Sequence, residues 1–341
     1  MIVSFDTIIK VAYHLMMKKP PYTITSKILH FVSEIQSILG EARHLTVKKP
    51  SIKLRKENKI KTIHHSLAIE GNSLTEEQVS SLIEGKKVIG PKSQILEVKN
   101  AIRLYELVGE LNPAKESDLL KAHKILMSDL LEKPGFYRSQ AVGIFKGGKV
   151  SRMAPPAKQV QFLMSNLFSF VNKDLDALPL VKACIFHYEL EFIHPFEDGN
   201  GRMGRLWQQL LLMNASPVFE YLPIESLIHK NQKKYYLALE KSDIKGESTD
   251  FIEFSLEMIL KSLKEFSGEI LSTNPKPFDR IELALEYFYS QSFTRKDYMI
   301  LHKEISTATA SRDLAQAVTS GVLKVTGTKS KATYRLNKKK N

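Results

Sequence analysis

The sequence predicts a mainly α-helical protein with a short β-hairpin in its middle and a winged helix-turn-helix segment near its C-terminal end. Over most of the chain, apolar residues recur at the three- and four-residue spacing of one helix face. Residues 136–150 instead contain a short β-like run followed by two glycines, which is typical of a hairpin. After residue 277, three helical patterns precede two strand-like runs, and this is the order of a winged helix.

The predicted elements follow one another with recognisable ends. Gly40 is the predicted stop of the first helix. The most apolar helix, residues 180–193, runs directly into a polar, glycine-rich loop at His194–Gly201. Thr294 and Ser306 are predicted N-caps of two C-terminal helices. The other predicted helices cover residues 97–111, 119–127, 160–171, 203–213, 252–266 and 281–289, and the C-terminal strands cover 322–325 and 333–336.

The distribution of charge separates the ends of the chain from its middle. The 341 residues carry 50 Lys and Arg against 37 Asp and Glu, a formal net charge of +13. Residues 1–60 and 276–341 each hold a net charge of +7, so residues 61–275 are nearly neutral at −1. The sequence therefore has a nearly neutral middle and basic ends. The predicted domains are an N-terminal helical region (1–112), a core with supporting helices (113–271) and a C-terminal domain (278–341), the last preceded by a Pro-containing linker.

Composition excludes several classes of protein. With 43% hydrophobic and 26% charged residues the chain is globular, and disorder is excluded. The single cysteine, Cys184, excludes a disulfide framework and a cysteine-based zinc cluster, and it fits a reducing, cytoplasmic location. The apolar N-terminal stretch is interrupted by Asp6 and Lys10, so neither a membrane span nor a signal peptide is expected.

The chemistry is concentrated in the twelve residues His194-Pro-Phe-Glu-Asp-Gly-Asn-Gly-Arg-Met-Gly-Arg205. Gly199, Asn200 and Gly201 precede a helix, and such a turn directs backbone N–H groups and the positive helix end at an anion. Arg202 and Arg205 share one face of that helix and suit phosphate oxygens. Asp198 is a hard oxygen ligand for Mg²⁺, and His194 exchanges a proton near neutral pH. Together these residues indicate phosphoryl- or nucleotidyl-transfer chemistry.

A second glycine-rich stretch nearly matches a nucleotide motif. Residues 143–149 follow the P-loop pattern up to the last position, where Val150 replaces the Ser or Thr that would bind Mg²⁺. The glycines also lie inside the predicted hairpin instead of before a helix. We therefore interpret this stretch as a turn and reject the P-loop.

The string from His194 to Arg205 resembles, at every fixed position, the His-Pro-Phe-x-Asp/Glu-Gly-Asn-Gly-Arg-x-x-Arg signature of the Fic family of protein adenylyltransferases. Residues 66–72 resemble the inhibitory helix of that family, Ser/Thr-x-x-x-Glu-Gly/Asn, and their N-terminal position is that of class II. The stretches 135–138, 154–156 and 232–236 also fall where Fic proteins have related elements. The resemblance implies a Fic-type helical core with an inhibitory helix at about residues 62–72.

The resemblance assigns a role to each residue of the signature. His194 would be the general base that deprotonates a Ser, Thr or Tyr hydroxyl of a target protein. Asp198 would hold the Mg²⁺ of an ATP complex, and Gly199, Asn200 and Gly201 would cradle the phosphates through backbone N–H groups. Arg202 would bind the β/γ end and Arg205 the γ-phosphate. AMP would pass to the hydroxyl, and pyrophosphate would be released.

The same resemblance extends the site to the neighbouring segments. Glu70, supported by Ser66, would pair with Arg205 and inhibit transfer by displacing the γ-phosphate. The other assignments are a target-docking flap at Val150, Ser151, Arg152 and Met153 and two nucleoside contacts, Tyr235 and Tyr236. Asp243 stands where relatives often carry Asn. The adjacent pair His64-His65 is interpreted as helix residues that are packed or hydrated locally, and a metal site at His187, Glu191 and His194 is the weaker interpretation because His194 has a better role.

The predicted activity is an autoinhibited protein adenylyltransferase that uses ATP and Mg²⁺. The alternatives are a nucleotide-sensing transcription regulator, transfer of another phosphate-containing group, and removal of AMP. In the winged-helix segment, Lys324, Lys329 and Lys331 form a basic wing, but the predicted recognition helix is poor in residues that read bases. The sequence therefore leaves open a DNA or protein partner for this segment, and also a homodimer.

Overall fold

The structure, a computed structural model, describes residues 19–45, 52–146, 149–272, 277–289, 291–303, 305–328 and 332–337. This part of the chain is mainly α-helical, which confirms the predicted fold class. It divides into two compact units: Lys56–Phe266 with the described residues up to Glu41, and Ala42–Arg55 with the segment from Ser267. Whether the three predicted segments fold as domains stays a prediction. Within the described ranges, no helix combines the length and apolarity that crossing a membrane requires.

The elements of residues 26–272 are helices, apart from one hairpin. They are α1 (Ser26–Leu45), α2 (Ile52–Ile69), α3 (Glu76–Ile83), α4 (Lys92–Glu106), α5 (Glu116–Leu126), β1 (Gly143–Lys146), β2 (Lys149–Met153), α6 (Ala157–Lys173), α7 (Pro179–Ile193), α8 (Asn200–Ala215), α9 (Ile224–Lys230), α10 (Gln232–Lys245) and α11 (Thr249–Ser272), with short 3-10 turns at Val108–Glu110 and Pro217–Tyr221.

The helix α1 does not stop at Gly40, and this prediction was wrong. The helix continues to Leu45, and Gly40 is not among the glycines with positive φ. Glycine in a helix interior costs about 1 kcal/mol relative to alanine but ends a helix only where it adopts the left-handed conformation after the last turn. Gly40 is therefore an ordinary helical residue.

The helices α7 and α8 form the centre of the first unit. Residues on all faces of α7 are buried, as expected for a helix that is apolar all round. Trp207 of α8 is also buried and donates its indole N–H to the carbonyl of Pro113 at 3.0 Å. At Gly204 the two helices approach closely, because a Cβ there would lie 2.7 Å from Cδ2 of His187. This packing fixes both ends of the loop that joins the two helices.

The helix α2 ends just before the glutamate that the sequence singles out. It begins at Ile52, well before the predicted start, and its last residue is Ile69. Gly71 has a φ of 94°, and the N–H of Asn72 donates to the carbonyl of Leu67 at 3.1 Å. This is a glycine-based helix end. Glu70 consequently lies in the turn that follows the helix, on the side of α8.

The predicted hairpin is present. The strands β1 and β2 pair in antiparallel orientation, with Gly143 opposite Met153 and Lys146 opposite Lys149. Its turn residues, Gly147 and Gly148, lie outside the described residues. The glycine-rich stretch thus connects two strands, which agrees with the rejection of a P-loop.

The elements beyond residue 276 have a small core of their own. They are α12 (Pro277–Phe288), β3 (Phe293–Thr294), α13 (Arg295–Leu301), α14 (Thr307–Thr319), β4 (Leu323–Thr326) and β5 (Thr333–Leu336), and the sheet order is β3-β5-β4. Thr294 and Ser306 cap α13 and α14 as predicted. The order agrees with a winged helix-turn-helix, an assignment that stays a prediction together with its DNA or protein partner. Lys329 and Lys331 of the predicted wing lie outside the described residues.

Candidate functional site

The loop between α7 and α8 begins and ends in the left-handed backbone region. His194 follows the last residue of α7 with φ 51° and ψ 60°, and Gly199 precedes α8 with φ 85°. A non-glycine residue in this region is held there by its surroundings. Gly199 has no side chain with which to cap α8, so the first N–H groups of the helix lack a capping acceptor at this position. Such a helix start suits an anion.

The side chain of Arg138 holds the entry to the loop. Its guanidinium donates to the carbonyls of His194 at 2.7 Å, Pro155 at 2.6 Å and Gln140 at 2.8 Å. The backbone N–H of Arg138 also donates to the carbonyl of Pro195 at 2.9 Å. Arg138 is 3% exposed, so these charge-assisted bonds form away from bulk water. They fix the backbone on either side of the left-handed His194.

Two further side chains hold the middle of the loop. The Asn200 amide accepts from the N–H of Phe196 and donates to its carbonyl, both at 2.9 Å. The buried ring of His123 stacks on Phe196 with centroids 3.7 Å apart. Its Nδ1 accepts from the N–H of Gly135 at 2.9 Å, so Nε2–H donates to the carbonyl of Asp198, also at 2.9 Å. Burial lowers the pKa of His123 to about 4, which keeps this tautomer neutral at pH 7.

The imidazole of His194 is half-buried at the start of the loop. Its Nδ1 lies 3.4 Å from the carbonyl oxygen of Glu191. Because a carbonyl only accepts, the proton belongs on Nδ1 and the lone pair on Nε2. This is the form that a general base requires.

Asp198 and Arg202 lie side by side where α8 begins. Asp198 is 63% exposed at its side chain, and its Oδ1 accepts from Nη2 of Arg202 at 3.1 Å. Arg202 is buried, and its Nε makes no hydrogen bond. One exposed carboxylate next to a helix start that suits an anion fits the way in which Mg²⁺ is held, by one or two carboxylates together with phosphates and water. The residues at this position therefore fit Mg²⁺.

Arg205 is buried and is paired with residues from the end of α2. Its Nη2 lies 2.8 Å from Oε1 of Glu70 and 2.8 Å from the carbonyl of Ser66, and its Nε donates to Oγ of Ser66 at 3.2 Å. The Arg205 side chain is 1% exposed, whereas that of Glu70 is 34% exposed. Nη1 of Arg205 is buried without a hydrogen-bond partner. The structure thus brings together all three residues that the sequence predicted here.

The carboxylate of Glu70 also lies against Gly201. A Cβ at this glycine would collide with Oε1 of Glu70 and would lie 3.1 Å from Nη1 of Arg205. Glu70 therefore reaches the backbone of the first turn of α8, the segment predicted to cradle phosphates. Two negative groups cannot share this place without strong repulsion.

The two tyrosines of α10 differ in their surroundings. Tyr235 is buried, and its hydroxyl lies 3.1 Å from both Nε2 of His187 and Oε1 of Glu191. Tyr236 is half-buried and donates to the carbonyl of Ile69 at 3.4 Å. Their predicted role as nucleoside contacts stays a prediction. Asp243, the departure from the family pattern, accepts a hydrogen bond from Tyr188 at 3.1 Å.

The predicted flap residues lie on β2. The backbone of Val150 and Arg152 pairs with β1, and Ser151 lies between them at a register shift. The side chains of these three residues are outside the described part of the structure. Met153 is described, and it is 54% exposed. Docking of a target protein on this strand stays a prediction.

Sequence reasoning missed the two residues that shape the loop. Arg138 stood only within a stretch of resemblance, and His123 was interpreted as part of a helix pattern. A histidine at an apolar position of α5 was the signal for His123, because a buried imidazole needs two hydrogen-bond partners. The alternative metal site is not favoured, since both ring nitrogens of His187 contact other side chains, Gln208 at 2.6 Å and Tyr235.

Known proteins resemble this chain in sequence. A family model described as the Fic/DOC family matches residues 113–212. The chain is 32% identical over 220 residues to the protein adenylyltransferase Fic of Culex quinquefasciatus, covering 61% of this chain and 41% of that protein. It is 25% identical over 268 residues to the protein adenylyltransferase fic-1 of Caenorhabditis briggsae, covering 73% and 50%. The chain spans about half the length of these curated relatives.

A solved structure resembles nearly the whole chain. The crystal structure of a Fic family protein from Desulfovibrio desulfuricans is similar with a TM-score of 0.72 and 39% sequence identity. The match covers 95% of this chain and 99% of that chain. Because this identity extends over almost the full length of both proteins, the chain belongs to the Fic family.

Proposed function

We propose that this protein transfers AMP from ATP to a hydroxyl group of a protein and that Glu70 inhibits the transfer. The observation that carries the proposal is the convergence on one loop of His194, the start of α8 and the buried Arg205. The names of the relatives in Culex and Caenorhabditis, both protein adenylyltransferases, support the same reaction.

In this mechanism His194 acts as the general base. Its Nε2 takes the proton of a Ser, Thr or Tyr hydroxyl, and the oxygen then attacks the α-phosphorus of ATP. The bond from the α-phosphorus to the bridging oxygen breaks, and pyrophosphate leaves. The left-handed backbone that Arg138 holds sets the position of the imidazole, which matters because a misplacement of about 1 Å costs on the order of 100-fold in rate.

The phosphates would bind along the start of α8. Backbone N–H groups at Gly199, Asn200 and Gly201 would receive phosphate oxygens, and Arg202 and Arg205 would neutralise the β- and γ-phosphates. Asp198 would hold Mg²⁺. When bound, Mg²⁺ supplies positive charge that stabilises the departing pyrophosphate.

Inhibition follows from the charge of Glu70. Its carboxylate pairs with the guanidinium that the γ-phosphate needs, and it lies against Gly201. An incoming triphosphate would lose a cation and meet a like charge, so the α-phosphate would be misaligned for attack. Replacing Glu70 removes both effects.

The test incubates the full chain and Mg²⁺ with ATP labelled at the α- or the γ-phosphate. We expect protein labelling from α-labelled ATP alone, on the chain itself or on proteins of a lysate. Glu70→Gly should raise the labelling rate on the order of 100-fold. Adding His194→Ala to this variant should abolish it, whereas Glu110→Gly, at an exposed glutamate remote from the loop, should match the wild type.

Other outcomes would select other functions. Labelling from γ-labelled ATP alone would replace AMP transfer by phosphate transfer. Absence of labelling from both, even with Glu70 replaced, would favour a nucleotide-sensing regulator. Release of labelled AMP from a protein that already carries it would assign hydrolytic removal of AMP, with water taking the place of the leaving hydroxyl.

A further inference from the structure

Two adjacent histidines near the end of α2 lie next to a carboxylate at the start of α3. His64 Nδ1 and His65 Nε2 each lie 3.7 Å from Oε1 of Glu76. The three atoms lie within 4.8 Å of one another, and no other group of three His, Cys, Asp or Glu ligand atoms in the described ranges is this close. A distance of 3.7 Å is too long for a hydrogen bond. The three residues, called here the His64 cluster, are therefore close together, but neither histidine makes a hydrogen bond to Glu76 through these atoms.

The hydrogen bonds of His65 direct its lone pair towards Glu76. Its Nδ1 lies 2.8 Å from the carbonyl of Lys61, which can only accept, so Nδ1 carries the proton. Oγ of Ser226 lies 3.1 Å from the same nitrogen. Nε2, the atom nearer Glu76, is then unprotonated in the neutral ring. A ring nitrogen that donates to a backbone carbonyl while the other faces a metal is the usual arrangement of a ligating histidine.

The Nδ1 atom of His64 supplies the independent observation. It is buried and has no hydrogen-bond partner. A buried nitrogen of this kind is destabilising unless something binds it. Oε1 of Glu76 lies 3.7 Å from it, a distance beyond hydrogen-bond length. A cation between the imidazoles and the carboxylate would satisfy all three groups.

An ion pair between protonated histidines and Glu76 is the competing explanation. A charge-assisted N–H···O bond is usually about 2.7–2.9 Å long, whereas both imidazole nitrogens lie 3.7 Å from the carboxylate oxygen. The three groups are therefore near one another without the direct contact of an ion pair. A transition-metal ion binds both imidazole nitrogens and carboxylate oxygens, so it suits this arrangement.

We propose that His64, His65 and Glu76 bind one Zn²⁺ ion, with water at the fourth position. Two imidazole nitrogens and one carboxylate oxygen are Zn²⁺ ligands, whereas Mg²⁺ and Ca²⁺ prefer oxygen alone. Bonds of about 2.0–2.2 Å in a tetrahedron place ligand atoms about 3.3 Å apart. The two 3.7 Å distances to Glu76 would therefore shorten by about 0.4 Å, and the two imidazole nitrogens, which lie within 4.8 Å of each other, would approach by up to about 1.5 Å. The Glu76 side chain is 41% exposed, which leaves an entry for the ion and its water.

The surrounding structure holds the cluster in place without the metal. Thr75 caps α3 in a capping box with Gln78, and this fixes the position of Glu76 at the first residue of the helix. The ring of His229 from α9 lies 5.3 Å from that of His65, closing the cluster on a further side. The three ligands therefore come from two helices, α2 and α3, and a third helix of the same compact unit lies beside them.

A metal here would act on Glu70, and this consequence rests on the proposed function. The turn that contains Glu70 connects the two helices that contribute the ligands. A bound Zn²⁺ would tie the end of α2 to the start of α3 and would hold Glu70 on Arg205. We expect Zn²⁺ to lower AMP transfer by the wild type and to leave transfer by Glu70→Gly unchanged.

The primary test measures metal binding in the absence of ATP. The full chain, stripped with a chelator and kept in excess Mg²⁺, is titrated with ZnCl₂ in a calorimeter, and Co²⁺ is used to record the absorption bands of tetrahedral coordination. We expect one Zn²⁺ per chain and a tetrahedral Co²⁺ spectrum. Glu76→Gln and the double variant His64→Gln/His65→Gln should weaken binding at least about 10-fold. The matched controls Glu77→Gln and His30→Gln, at exposed positions, should bind as the wild type does.

The outcomes separate the site from its regulatory consequence. Absence of Zn²⁺ binding at micromolar concentration, or equal binding by all variants that keep the wild-type helical content, would overturn the site. Binding without any fall in wild-type AMP transfer would overturn the effect on Glu70 and keep the site. Absence of AMP transfer in every variant would disprove the proposed function, and the binding result would stand.

Discussion

Glu225 illustrates how strongly the interior changes a single side chain of this protein. It is 3% exposed, and its Oε2 has no hydrogen-bond partner. Burial raises the pKa of this carboxyl to about 7, against the opposing effect of backbone hydrogen bonding and of Arg205. The carboxyl is thus largely protonated in the folded protein at pH values where an unfolded chain has lost the proton.

This raised pKa predicts the direction of a pH effect on stability. Between pH 4.5 and 7 the folded state binds more protons at Glu225 than the unfolded state does. The contribution of this protonation to the free energy of unfolding is therefore complete below pH 4.5 and is lost as the pH rises to about 7. Glu225→Gln should remove this loss. We expect the free energy of unfolding of the variant, relative to that of the wild type, to rise by about 3 kcal/mol between pH 4 and pH 8.

Urea unfolding at a series of pH values measures this difference. The exposed Glu220→Gln variant is the control and should follow the wild-type curve. A constant difference in unfolding free energy between Glu225→Gln and the wild type across the whole series would contradict the prediction.

At the scale of elements, the close contact of α7 and α8 depends on one glycine that the family signature does not specify. A Cβ at Gly204 would lie 2.7 Å from the buried ring of His187, which contacts Gln208 and Tyr235 through its two nitrogens. The ring cannot move away without breaking these contacts. The close approach of Gly204 to His187 therefore sets the spacing of the two helices and the position of the loop between them.

Gly204→Ala should therefore destabilise the protein by about 1–3 kcal/mol, because overpacking a dense interior displaces side chains or backbone. Thermal unfolding followed by circular dichroism measures the change. Gly40→Ala is the matched control, because Gly40 also lies within a helix but a Cβ there meets no atom within 4 Å. That variant should be as stable as the wild type or more stable by about 1 kcal/mol. Equal effects of the two substitutions would exclude the close approach as the cause.

The sequence predicts elements better than it predicts their ends and their contacts. Helical periodicity identified α7 and α8, and cap residues identified the starts of α13 and α14. Gly40 was misinterpreted because a glycine marks a helix end only through a conformation that the sequence does not reveal. The Glu70–Arg205 pair was expected from a resemblance, since no local pattern reports a contact across 135 positions. The hydrogen bonds of Arg138 go to backbone carbonyls, which every residue type has. No partner residue therefore indicates them in the sequence.

At the scale of the whole molecule, the C-terminal elements have a hydrophobic core of their own. The unit beyond Ser267 contains a buried ion pair, in which Arg280 donates to both carboxylate oxygens of Asp313 at 2.6 and 2.9 Å. The hydroxyl of Tyr298 donates to the same carboxylate at 3.1 Å. Removing one member of such a pair leaves the other charge buried and costs about 3–5 kcal/mol.

Asp313→Ala should for this reason act on one unit only. We expect amide hydrogen exchange to become faster in α12 and α14 and to stay unchanged in α7 and α8, because the substituted pair lies within the core of the C-terminal elements. Arg312→Ala, at the exposed neighbouring position of the same helix, should leave exchange unchanged throughout. Faster exchange in α7 and α8 would show that the two units unfold together.

The hydrogen bond from Arg205 to the backbone carbonyl of Ser66 gives the end of α2 a second role beside the proposed inhibition. Because that acceptor belongs to the main chain, no side-chain replacement in α2 removes it, and the arginine stays oriented when the glutamate is gone. The end of α2 thus orients the same arginine that Glu70 is proposed to block. Deleting α2 and substituting Glu70 would therefore have different effects. Substitution would expose an arginine that is already oriented, whereas deletion would also remove the carbonyl that orients it.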